Sequence, residues 1–154
     1  MKFGLISCSK KKVRSRCSAE QMYSRSPLFR LALTYAKEVY DLVTILSAKY
    51  NVIAPTDVID PYDLTLSKLP VRAREVWSEQ AVLNLLSRFH IKSGDEAFFH
   101  AGKEYRDLLV QRLTAHRITC VVPLQGLKIG EQMAWYKKAL SQDHKHVKPG
   151  LGRR

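Results

Sequence analysis

Four short apolar runs, Phe3–Ile6, Leu42–Leu46, Glu96–Phe99 and Ile118–Val122, alternate with stretches whose apolar residues recur every three or four positions. Such strand–helix alternation requires crossover connections, and these predict a mostly parallel sheet with helices on both faces. The run Leu42–Val43–Thr44–Ile45–Leu46 has no polar alternation, as expected of a strand covered on both sides. Ser26 as N-cap and Pro27 at the first helical position open a helix through Leu28, Phe29, Leu31, Ala32, Tyr35, Ala36 and Val39. A second helix is expected over Val71–Phe89, with Val76, Leu83 and Leu86 inward and Trp77 close by. A third carries Tyr105, Leu108, Leu109 and Leu113, and a last one Met133, Ala134, Tyr136 and Leu140. Pro123 stops the fourth strand.

The expected architecture is therefore α/β, with four mainly parallel strands in one domain over residues 1–141 and a basic, frayed tail over 142–154. Residues 51–68, with Pro55, Asp57, Asp60, Pro61 and Asp63, hold too many breakers for a long helix and too much spacing for a hairpin. Long irregular segments are uncommon in compact domains unless functional, so this one reads as a substrate loop.

The three cysteines are an odd number, and no secretory segment precedes them, which points to a reducing cytoplasm. No run approaches the roughly 18 apolar residues of a membrane span. The net charge of +12 is uneven: residues 1–30 carry +7, the tail from Gln142 carries +3 and everything between only +2. Charge concentrated in this way attracts a polyanion, nucleic acid before a membrane surface.

In a parallel sheet the strand-end motifs Ser7–Cys8–Ser9, Ser47–Ala48–Lys49, His100–Ala101–Gly102 and Leu124–Gln125–Gly126 gather on one edge, where α/β proteins build their sites. Neither GxGxxG nor GxxxxGK[ST] occurs, so a dinucleotide cradle and a P-loop are both unsupported. HExxH and paired-cysteine metal motifs are also missing, and His144 and His146 read as solvated tail residues rather than ligands.

The segments LISCSKKK, SAEQMYSRSPLF, ILSAKYNVIAPTDVIDPYDLTL, HAGKEYRDLL and VPLQGLKIGEQMAWYK, in that order from about Phe3 to Leu140, resemble the pattern of the DUF6884 family of small bacterial and phage proteins. That family is similar to the uracil-DNA glycosylase-like fold of the archaeosine synthase middle domain and the YaaA proteins. The resemblance implies a three-layer α/β/α domain that handles a base or nucleoside in nucleic acid, DNA expected ahead of RNA, with cleavage of an N-glycosidic bond as the expected reaction and no metal or organic cofactor required. Where family members usually read SAKYG or SAKHG this chain has Ser47–Ala48–Lys49–Tyr50–Asn51, and Asn tolerates a left-handed backbone, so the turn is expected to persist.

Glycosidic cleavage builds positive charge on the sugar and negative charge on the base, so it needs a carboxylate and donors aimed at the base. The loop Asp60–Pro61–Tyr62–Asp63 supplies two carboxylates, Asp63 the first choice and Asp60 the second; capping a turn is the alternative for each. Cys8 reads either as a nucleophile activated by its lysines or as a small strand-end residue. Lys10 and Lys11, with Lys12, suit phosphate, and Lys49 is the candidate if a Schiff base is used. Tyr23, Tyr50 and Tyr62 offer rings for stacking on an extruded base or packing within loops. His100 can donate to a base or be satisfied locally, Arg106 can clamp phosphate, and Tyr105 can buttress the loop. Gly102 closes the third strand-end motif, and Gln125 and Gly126 before the last helix can present backbone donors. Two other functions fit the same residues: a nucleic-acid-binding module without catalysis, and an enzyme of free nucleotides or nucleosides.

Overall fold

The computed structural model describes the backbone of residues 1–146 and the side chains of residues 1–142. The elements run β1 (Lys2–Ser7), β2 (Cys17–Ser18), α1 (Ala19–Met22), α2 (Pro27–Val39), β3 (Leu42–Ser47), β4 (Asn51–Ile53) and β5 (Val58–Ile59). A 3-10 turn at Leu66–Lys68 then leads to α3 (Val71–Ser87), β6 (Glu96–His100), α4 (Lys103–Ala115), β7 (Thr119–Val121) and α5 (Ile129–His146). The central sheet has five strands in the order β4-β3-β1-β6-β7. The pairings of β1 with β3, β1 with β6 and β6 with β7 are parallel, and that of β3 with β4 is antiparallel.

The four expected strands are thus parallel to one another, and the sheet gains a fifth at its edge. The added strand arises at Ala48–Tyr50, where a tight turn folds the chain back so that Asn51 pairs with Ser47. Asn51 takes φ +69°, the left-handed conformation that such a turn requires. Its side chain also fastens the edge: Nδ2 donates to the Trp77 carbonyl at 3.0 Å, and Oδ1 accepts from Asn84 Nδ2 at 2.9 Å.

The rest of the long segment is also less irregular than its composition predicts. β5 pairs antiparallel with β2, and the Ala19 and Glu20 N–H groups donate to the Asp57 and Pro55 carbonyls at 2.7 and 3.0 Å. Two-residue strands carry no periodicity, so nothing in the sequence announces this pairing. Arg88 grips the Asp57 carboxylate with both terminal nitrogens at 2.7 Å, tying the segment to the end of α3.

Alternation along the strands divides the core. Phe3, Leu5, Ala97 and Phe99 face α3 and α4, packing with Trp77, Ala81, Leu85, Leu109 and Leu113. Ile6 and Ile45 face α2 and α5, packing with Phe29, Ala32, Ala36 and Tyr136. The Ser26 cap forms as expected, its Oγ accepting from Phe29 N–H at 3.2 Å, with Pro27 at the first helical position. On α3 the buried face runs through Trp77, Ala81, Val82 and Leu85, so Leu83, expected inward, is 64% exposed. Gly4 is required by close approach: a Cβ there would lie 2.8 Å from the Tyr40 ring.

α5 continues past Ser141 to His146, so the expected tail begins inside a helix; the side chains of His144 and His146 and all of residues 147–154 lie outside the described residues. Among the described residues no helix is long and apolar enough to cross a membrane.

Candidate functional site

Sequence order and sheet order part company at β1. The chain moves from β1 to β3 on one side, then returns across the sheet to β6 on the other, so adjacent connections leave β1 and β6 in opposite directions. A doubly wound sheet opens a crevice beyond the carboxyl ends of its strands at such a switch point. A crevice of about 290 Å³ lies there, lined by Ser7–Ser9 at the end of β1, Phe99–Gly102 at the end of β6, and Val122 and Leu124–Leu127 leaving β7. This is near the lower end of the roughly 300–1,000 Å³ usual for small-molecule sites.

The crevice has apolar walls and polar groups spaced around them. Leu28 and Phe29 from the start of α2 join Ile6, Leu124 and Leu127, while Ser9, Ser26, Gln125 and Gln132 supply neutral donors and acceptors. Gly126 sits at φ +86°, which lets the chain turn sharply between β7 and α5. Two charged side chains of the first turn of α4 also line the crevice: Glu104, its single carboxylate among the described residues, and Arg106, its single cation. Arg106 Nε is buried without a hydrogen-bond partner. A buried donor left unpaired costs about 1–3 kcal/mol, so the arrangement calls for an acceptor.

His100 closes the inner end. Its Nε2 lies 2.6 Å from the Tyr40 hydroxyl and its Nδ1 2.6 Å from the Tyr136 hydroxyl. A neutral imidazole donates from one nitrogen and accepts at the other, so both of its polar sites are engaged within the protein. Burial lowers its pKa to about 4. The donor role expected for it would require one of these bonds to open; as it stands, His100 positions Tyr136, which itself lines the crevice.

A second polar cluster sits at the ends of β1 and β3. The Tyr62 hydroxyl bonds Tyr23 at 2.7 Å and Ser47 Oγ at 2.9 Å, and Ser47 Oγ also accepts from the Tyr50 N–H at 3.0 Å. Cys8 Sγ lies 3.3 Å from the Tyr105 hydroxyl. Burial first, then the neighbouring Cys8, raises the Tyr23 phenol to about 12 and pushes Tyr62 and Tyr105 up as well. These phenols therefore stay protonated as donors near neutral pH. Cys8 belongs to both places, since it also lines the crevice.

The expected site residues divide accordingly. Cys8, Ser9, His100, Gly102, Arg106, Gln125 and Gly126 come together around the crevice. Ser47, Tyr23, Tyr62 and Tyr105 instead form the buttress behind β1. Tyr23 is wholly buried, so its ring offers no face to an extruded base, while Tyr105, expected to buttress the loop, is 4% exposed. Tyr50 packs edge-on to Tyr62 at 5.6 Å, and Lys12 Nζ sits 4.4 Å above the Tyr62 ring. Lys10, Lys11 and Lys49 are exposed and outside the lining, Lys49 lying over Tyr50 at 5.4 Å.

Neither Asp60 nor Asp63 lines the crevice. Asp60 pairs with Arg16 at 3.1 Å on the surface, because the β2–β5 pairing brings their loops together. Asp63 is exposed and has no hydrogen-bond or ion-pair partner among the described residues. Sequence reasoning missed Glu104, Ser26, Gln132 and Tyr136 as crevice residues. Glu104 and Arg106 flank Tyr105 just after the His100–Gly102 motif, a signal that was present. Gln132 and Tyr136 share a helical spacing of four, which reads equally as ordinary packing.

A family model described as a family of unknown function, DUF6884, matches residues 4–138, which include every crevice-lining residue named above. No curated protein matches the chain.

Proposed function

The chain belongs to the DUF6884 family, and from that premise we propose that it is an N-glycoside hydrolase of the DNA-glycosylase type, releasing a modified or non-standard base from nucleic acid. The observation that carries the proposal is the switch-point crevice, whose apolar lining and neutral amide and hydroxyl groups suit a heterocycle with hydrogen-bonding edges. The likeness to the uracil-DNA glycosylase-like fold belongs to the same reading, with α3 and α4 on one face of the sheet and α2 and α5 on the other. Lys10, Lys11 and Arg14, exposed just past the Ser9 lip, supply a surface for phosphates beside the crevice.

The reaction needs no group beyond protein and water: the C1′–N bond breaks, water adds to C1′, and the base departs as its anion or protonated form. Incubating the purified protein with single- and double-stranded DNA rich in modified bases, followed by mass spectrometry of the small-molecule fraction, should detect a free base. Turnover confined to mononucleotides and insensitive to salt would instead establish the free-nucleotide reading, since polyanion binding weakens steeply as salt rises. Salt-sensitive binding with no base released from any of these substrates would establish the binding module.

A further inference from the structure

Glu104 and Arg106 are the two charges that line the crevice, and they are not paired with each other. Neither has a hydrogen-bond or ion-pair partner among the described residues. Three other acids of the chain are committed to ion pairs, Glu20 to Lys37, Asp57 to Arg88 and Asp60 to Arg16, and none of them lines the crevice. Tyr105 lies between the two charges in sequence, and its buried side chain holds the first turn of α4 against Cys8 and Trp77. The Tyr105 phenol is raised by burial, then by Cys8, and further by the Glu104 carboxylate.

Resting on the glycosidase reading above, we infer that Glu104 is the carboxylate that faces the anomeric carbon of the bound nucleoside and that Arg106 faces the departing base. The transition state of glycosidic cleavage carries positive charge on the sugar and negative charge on the base. A crevice with one unpaired anion and one unpaired cation is complementary to that separation. In the step, the C1′–N electron pair leaves with the base toward the Arg106 guanidinium. The oxygen of water bonds to C1′, its proton passes to the Glu104 carboxylate, and the base takes a proton from solvent.

Two measurements separate this inference from the reading beneath it. The first is affinity for a nucleoside analogue whose sugar ring oxygen is replaced by a protonated nitrogen, compared with the neutral nucleoside. Wild-type protein should bind the cationic analogue at least about 10-fold more tightly, and Glu104→Gln, a change at an exposed position, should abolish that preference. A wild-type protein with no preference, or a variant that keeps it, overturns the placement of Glu104. The second is base release, which tests the glycosidase reading by itself. Where release occurs, Glu104→Gln should lower it by about 100-fold or more, and by more than Asp63→Asn does. Release lost in Asp63→Asn but kept in Glu104→Gln would overturn the inference and leave the glycosidase standing.

Discussion

Lowering the pH from 7 to 5 should destabilise the fold by about 2 kcal/mol through His100 alone. The ring is 8% exposed and bonded at both nitrogens to tyrosine hydroxyls 2.6 Å away. The rings of Tyr35, Tyr40 and Tyr136 surround it at 5.5–5.7 Å, and burial raises the phenols of Tyr40 and Tyr136 above the ordinary tyrosine range. Burial lowers its pKa from 6.5 to about 4. Between those values the unfolded chain binds the proton and the folded protein does not, so stability rises with pH. The contribution is fully present above about 6.5 and is lost as pH falls toward about 4. The full shift corresponds to about 3 kcal/mol, of which about 2 is gone by pH 5. Urea unfolding followed by tryptophan fluorescence, at pH 7 and pH 5, should give this loss in the wild type in excess of that in His100→Gln, which donates and accepts without titrating. Equal pH dependence in the two proteins would refute the reasoning, whatever the absolute stabilities.

Gly4→Ala should destabilise by about 1–3 kcal/mol, since its Cβ must displace the Tyr40 ring 2.8 Å away and with it the hydroxyl that bonds His100; thermal unfolding measures this, and an unchanged Tm would show that the ring moves freely. Asn51→Gly keeps the left-handed backbone but loses the bonds to Trp77 and Asn84, for about 1–3 kcal/mol. Asn51→Ala should cost about 1 kcal/mol more than Asn51→Gly because it also strains φ +69°; equal losses in the two would mean that the turn carries no strain. Replacing Lys10, Lys11 and Lys12 together by alanine should flatten the salt dependence of DNA binding by about 0.9 in log–log slope for each phosphate no longer neutralised, and an unaltered slope would remove the basic loop from the interface.

The parallel strands and their order of appearance were legible because each is a contiguous apolar run with a helix-length repeat after it. The α2 start was legible from Ser26 and Pro27, whose roles are local. What was not legible depends on pairing across distance. β4 is three residues long and β2 and β5 two each, too short for any period to register. The same limit governed the site. Strand ends at Ser7–Ser9 and His100–Gly102 could be placed on one edge from topology alone. The loop carboxylates could not, because the β2–β5 pairing that sets Asp60 against Arg16 leaves no trace in the sequence, whereas Glu104 follows the β6 end directly and its place on that edge was open to reading. Tyr23, Tyr50 and Tyr62 were singled out for lying in loops, yet Tyr23 is a core residue whose hydroxyl finds its Tyr62 partner only in three dimensions.

The tyrosine cluster explains how a loop rich in positive charge can stand beside a crevice without being loose. Lys10–Arg16 is held at both ends and in its middle. Ser9 Oγ donates to the Lys11 carbonyl at 2.7 Å, Val13 N–H donates to the Met22 carbonyl at 3.0 Å, and Cys17 pairs with Ile59. Lys12 rests on the Tyr62 ring, and the Tyr62 hydroxyl is fixed by Ser47 and Tyr23. The loop is therefore registered against the ends of β1 and β3, the first of which opens into the crevice through Cys8 and Ser9. Consecutive Cα atoms are about 3.8 Å apart, so Lys10 and Lys11 start within about 8 Å of a crevice-lining residue. Under the proposed function those lysines would hold a phosphate, of a polymer or of a free nucleotide, beside the crevice mouth, whereas a bare nucleoside would gain nothing from them, so the slope of affinity against salt is what separates a polymer from a monomer.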